Sequence, residues 1–123
     1  MLYTKRELAT EMLRRIRVVG LLEPAPAEVL TRVGAIYDSK LHEWRDRGLV
    51  YWENTDGFET AEIPGGVYET LVQLLINVGE SQFGKNVQIS QLDRNAIEDR
   101  LLRSLRRHTH MQSARLPAQV DYF

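Results

Sequence analysis

The 123-residue sequence contains no cysteine. That excludes a disulfide framework, thiolate metal ligands and a cysteine nucleophile, and it fits a reducing compartment. Long hydrophobic runs are also missing. The apolar stretch at 74–78 is broken by Asn77, far short of the ~18 consecutive apolar residues of a membrane span. The opening MLYTKRELAT has no apolar core of the kind a secretory signal uses. Lysine and arginine are absent between Gly48 and Gly84, a stretch holding Glu53, Asp56, Glu59, Glu62, Glu69 and Glu80, for a local charge of −6.

The composition otherwise fits one ordinary water-soluble domain, with 43% hydrophobic and 27% charged residues and a net charge of −1. So weak a net charge gives no global pull toward nucleic acid or an anionic membrane. From residue 93 onward six arginines stand against four acids, with the excess concentrated between Arg100 and Arg115. The acidic and basic regions can attract each other within a monomer or between copies. The plain alternative is a pair of solvated faces.

Helix signals dominate. Thr4-Lys5-Arg6-Glu7 has capping-box spacing, and Leu8, Met12, Ile16 and Val19 recur at helical intervals toward a stop at Gly20. Pro24 and Pro26 mark a connector, with Pro26 suited to the next helix's first turn. That helix runs to about Arg47 on Val29, Val33, Ile36, Tyr37, Leu41 and Trp44. Arg45, Arg47 and Gly48 make its cation-then-glycine ending. Leu49-Val50-Tyr51-Trp52, the turn signal Asn54-Thr55-Asp56-Gly57 and the segment 58–63 predict a short hairpin. A third helix, 67–83, is apolar nearly all round and should be the most buried, with Gly84 as its cap. A fourth, 90–108, opens with cap-like Ser90 to Asp93 spacing. It sets Ile97, Leu101 and Leu105 opposite Arg100, Arg103 and Arg107. From Thr109 the helical period dissolves, Pro117 interrupts, and the segment closes on Val120, Tyr122 and Phe123. Extended apolar-ending segments of this kind bind other surfaces by strand addition or pocket filling.

The fold class expected is therefore mainly α: a four-helix bundle with a short β-hairpin between helices two and three. Residues 1–108 form the helical domain, with the hairpin near 49–63, and 109–123 form an extended C-terminal arm.

Catalytic signals are weak. His108-x-His110 has no acid or thiol partner at metal-ligand spacing. Glu43 beside Trp44 and Glu53 beside Trp52 are pairings that any helical protein offers. Ser39, Ser81 and Ser104 lack a nucleophile elbow, and neither Gly65-Gly66 nor Phe83-Gly84-Lys85-Asn86 is a phosphate-binding fingerprint. Arg14, Arg15 and Arg17, or the stripe at 100–107, offer cations to phosphates. A helix-turn-helix fails, because helices two and three are ~16 residues apart rather than 3–4 and the third helix has no Arg or Lys.

Leu41-x-x-Trp44-x-x-x-Gly48-Leu49, followed by the strand-like aromatic segment, the acidic turn and Ile63-Pro64, resembles the head-to-tail adaptors of tailed bacteriophages and gene-transfer particles, also called head-completion or packaged-DNA-stabilisation proteins. The element order matches over nearly the whole length. Larger members carry longer C-terminal extensions, and contacts made by those are not carried over. The resemblance implies a structural virion protein, not an enzyme, with no cofactor and no membrane association. It would form a homo-oligomeric ring, a dodecamer in the family, beneath the portal protein at the head–tail junction, after assembly in the host cytoplasm. The ring would join the DNA-filled head to the next tail component (nozzle, stopper or hub) and help retain packaged DNA, which passes through its channel without sequence specificity. Carried onto this sequence, Arg115, Leu116, Pro117, Val120, Tyr122 and Phe123 would attach to the portal. Arg100, Arg103 and Arg107, with Glu59 and Glu62, would serve ring contacts, and Trp44, Gly48, Trp52 and Ile63 would position the hairpin. The alternatives from other classes are a small helical DNA-binding regulator, a hydrolase and a helical interaction domain from outside phages.

Overall fold

A computed structural model of the chain describes residues 1–20, 23–55, 57–83 and 90–120, with side chains as far as 112. In chain order it has β1 (Leu2–Thr4), α1 (Lys5–Arg15), α2 (Ala27–Asp46), β2 (Ala61–Pro64), α3 (Gly65–Gly79), a 3-10 turn (Glu80–Phe83) and α4 (Gln91–Val120). The protein is thus mainly α, four helices with a two-stranded antiparallel sheet. No helix among the described residues is long and apolar enough to cross a membrane.

Thr4 caps α1 as its spacing predicts: its hydroxyl accepts from the Glu7 amide while the Glu7 carboxylate accepts from the Thr4 amide, each at 3.1 Å. The helix stops earlier than Gly20. Val18 N–H bonds the Leu13 carbonyl at 2.9 Å and Arg17 N–H bonds that of Arg14 at 3.1 Å, the paired bonds of a Schellman cap, with Arg17 itself at φ +60°. The same pair of bonds ends α2, from Leu49 to Trp44 and from Gly48 to Arg45, each 2.9 Å. Here Gly48 takes the left-handed position, φ +73°, that glycine adopts without steric cost.

Helix α3 is the central element expected from its composition. Val67, Leu71, Val72, Leu74 and Leu75 are at most 1% exposed, and α3 packs against all three other helices. Around it lie Leu8, Met12 and Leu13 of α1, Val33, Tyr37, Leu41 and Trp44 of α2, and Leu101, Leu102 and Leu105 of α4. Burying so many large side chains is the main favourable term in folding.

The hairpin is corrected. Residues 49–52 form no strand, and β2 pairs with the N-terminal β1, in the register Leu2↔Pro64, Tyr3↔Ile63 and Thr4↔Ala61, with an irregularity between Tyr3 and Thr4. Side chains take over the hydrogen bonding of the 49–52 backbone: Thr109 Oγ1 donates to the Leu49 carbonyl at 2.6 Å, and Arg45 donates to that of Trp52. Those carbonyls need no partner strand. Glu62 reaches back to Thr55: its carboxylate accepts from the Thr55 amide and hydroxyl, both at 2.7 Å.

The extended arm is corrected too: the helical backbone of α4 runs on to Val120. Proline inside a helix costs about 3 kcal/mol rather than forbidding it, and Met111, Gln112, Ala114, Arg115 and Leu116 are good helix formers. Residues 121–123 and the proposed cap Gly84 lie outside the described residues.

Candidate functional site

The arginines of α4 are where the helical spacing puts them. Ser90 accepts from the Asp93 amide at 3.1 Å at the helix start. Leu101, Leu102 and Leu105 then turn inward, at 6%, 5% and 0% exposure, while Arg100, Arg103, Arg106 and Arg107 are exposed. Among the described residues none of these four guanidinium groups forms an ion pair; Arg103 Nε donates only to the Asp99 carbonyl, at 3.4 Å.

A cleft runs between this helix and the end of α2. One part, about 360 Å³, is lined by Arg47, Leu49, Asp99, Leu102, Arg103 and Arg106. The other, about 720 Å³, adds Arg107, His110 and Met111 while sharing Arg47 and Arg106. Its walls are tied together by the Thr109–Leu49 bond and by Tyr51 Oη, 3.2 Å from His108 Nε2. Burial pushes the Tyr51 phenol pKa up. Helix α3 approaches α4 closely here: a Cβ on Gly66 would come within 2.7 Å of the His108 ring. His108 thus serves a contact between elements and His110 lines the cleft. No group of three or more potential metal ligands occurs among the described residues.

Of the two readings of the acidic stretch, attraction within the chain and a solvated face, ion pairs within the chain hold Glu59, Glu69 and Glu80. Glu59 pairs with Arg6, and Glu69 receives both terminal nitrogens of Arg15 at 2.5 and 2.7 Å. Glu80 pairs with Arg94 at 2.8 Å, both mostly buried, and Glu62 accepts from the Thr55 amide and hydroxyl. The Arg15 hydrogen bond, helped by the Gln73 amide, holds the Glu69 carboxyl down at about 2, and the same bond raises Arg15 well above its ordinary value. Glu59 and Glu62 therefore already have partners within their own chain.

The four residues expected to position the hairpin lie in the core and at the end of α2. Trp44, Trp52 and Ile63 are core residues, 0%, 6% and 1% exposed, and Gly48 turns the chain at the head of the cleft. Trp52 Nε1 donates to the Tyr37 hydroxyl at 3.4 Å, whereas Trp44 Nε1 finds no hydrogen-bond partner among the described residues, so Trp44 acts through packing. Beside them Lys5, 4% exposed, donates to Asp38 at 2.8 Å and to the Thr55 carbonyl at 3.4 Å, and Asn54 donates to the same Asp38 oxygen at 2.8 Å. This half-buried polar knot, in which Lys5 is the buried member, was missed in the sequence; the lysine next to the capping threonine is its only local sign.

Of the portal-attachment residues, Arg115, Leu116, Pro117 and Val120 lie on the backbone of α4 beyond the described side chains, and Tyr122 and Phe123 lie outside the described residues. No protein-family model, curated protein or solved structure matches this chain.

Proposed function

We propose that this chain is a structural virion protein that assembles as a ring beneath the portal, joins the DNA-filled head to the tail and helps retain packaged DNA. The observation that carries this reading is the outer face of α4. A row of exposed arginines, with no acidic partner among the described residues, leaves a surface electrostatically unfinished in the single chain. The resemblance in element order supplies the setting: an apolar third helix, an arginine-bearing fourth helix and a C-terminal segment reaching the portal. A head-to-tail ring contact buries different patches of two neighbouring copies. Arg100, Arg103 and Arg107 supply the basic patch, and Glu59 and Glu62 contribute to the other by sharing the partners they already hold.

The test is co-sedimentation and mass photometry of the purified chain with portal rings from the same genome. A discrete complex carrying many copies per portal is expected. Removing residues 113–123 should abolish capture while cooperative thermal unfolding persists. Capture that survives the deletion overturns the C-terminal assignment, and no complex at any ratio overturns the adaptor reading. Tight duplex binding by a dimer that never forms a ring would identify a DNA-binding regulator.

A further inference from the structure

We propose that the cleft between the end of α2 and α4 binds phosphates of a nucleic-acid backbone; its biological occupant, the packaged DNA, rests on the adaptor reading. The lining carries four guanidinium groups, those of Arg47, Arg103, Arg106 and Arg107, against one carboxylate, Asp99. Arg47 lies at the carbonyl end of α2, where the helix dipole favours a cation. The other three sit well inside a 30-residue helix, beyond the reach of either terminus, so the helix dipole does not offset their mutual repulsion.

The guanidinium groups come from both walls, and their backbones are held in place before any ligand binds. Leu49 and Leu102 are buried at 3% and 5% exposure. The Thr109 hydroxyl and the Tyr51–His108 contact join the walls directly. Arginine's fork of donors matches the paired oxygens of a phosphodiester. Along α4, Arg103 to Arg107 spans about 6 Å at 1.5 Å per residue, close to the distance between two successive backbone phosphates. An acidic peptide fits less well. Beyond its carboxylates it would need apolar side chains to hold on to, and Met111 is the one exposed large hydrophobic residue in the lining.

Fluorescence anisotropy of the full chain with labelled 20-nucleotide single strands and duplexes of unrelated sequence tests this. Binding should be insensitive to sequence. For single strands the logarithm of affinity should fall against the logarithm of salt with a slope of about −3, as for four neutralised phosphates. The double variant Arg47→Ala/Arg106→Ala should weaken binding by about tenfold or more and flatten that slope by about 1.4. Arg32→Ala, which removes one charge on α2 outside the cleft, should change affinity less than about twofold. If the first double variant melts early, Arg103→Ala/Arg107→Ala reads the same loss from one wall.

Binding that ignores both double variants overturns the proposal. Displacement of DNA by millimolar inorganic phosphate, but not by chloride of equal ionic strength, assigns the cleft to free phosphate and overturns the DNA assignment. Polyglutamate competing as well as DNA of equal charge identifies an acidic protein segment and overturns it equally. Portal capture by the unaltered chain is scored separately: capture without any DNA binding removes this inference alone, and DNA binding without capture removes the adaptor reading alone.

Discussion

Where α1 meets α3, Arg15 grips Glu69 through both terminal nitrogens and also holds Glu11 at 2.8 Å. Across the molecule, Arg47, Arg103 and Arg106 line a cleft with Asp99 as the one carboxylate in its wall. The first region uses opposite charges to fasten one element to another. The second collects like charges on elements that other contacts already fasten. Paired charges of the first kind stabilise the fold modestly when exposed and matter more when buried. An unpaired cluster does neither, and its value lies in what it attracts from outside the chain.

The comparison breaks most readily at the buried end of the paired set. Arg94→Ala leaves the Glu80 carboxylate without its 2.8 Å partner and removes a 2.7 Å bond to the Asn77 carbonyl. It should cost about 3 kcal/mol in urea unfolding. Lys5→Met keeps the aliphatic stem but leaves Asp38 with Asn54 alone, and about 1–2 kcal/mol should be lost by the same measurement. Glu69 tests the exposed end through pH. Its carboxyl titrates near 2 folded against 4.5 unfolded, so its contribution is complete above pH 4.5 and fades as pH falls toward 2. With the side chain 58% exposed, solvent screening keeps the effect under about 1 kcal/mol. Glu69→Gln should flatten the acid limb of the thermal stability profile by that amount. Smallest of all should be Arg106→Ala in the cleft, within about 0.5 kcal/mol and toward stabilisation in low-salt melts, since a repelling charge is removed. A large loss there would show that the cluster belongs to the paired class after all.

Local chemistry was legible in the sequence. The Thr4–Glu7 box, the Ser90 cap and the Gly48 stop each lie within a few residues of the helix they delimit, and the burial of α3 follows from an apolar composition on every side. The misread segments depend on partners far away. Leu49-Val50-Tyr51-Trp52 has the composition of a strand and equally of a buried loop, and what decides is a threonine sixty positions later donating to Leu49. The three residues of β1 are too few to show alternation ahead of a helix cap. The arginines at 100, 103 and 107 were visible as a stripe. Their assembly with Arg47 into a two-walled cleft required the packing of α4 beside the end of α2. In the same way, which cations hold Glu59, Glu69 and Glu80 was settled by the fold, which brings Arg6, Arg15 and Arg94 to them.

The ladder joining Leu2 to Pro64 has a kinetic corollary. Bringing together strands about sixty residues apart costs chain entropy in advance of any reward, and so short a ladder returns little. The docking of α1 on α3 closes a loop of the same length but buries far more apolar surface, so the ladder is expected to close after it. On heating or in denaturant it should be the first piece to fray, with its amides exchanging hydrogen ahead of those in α3.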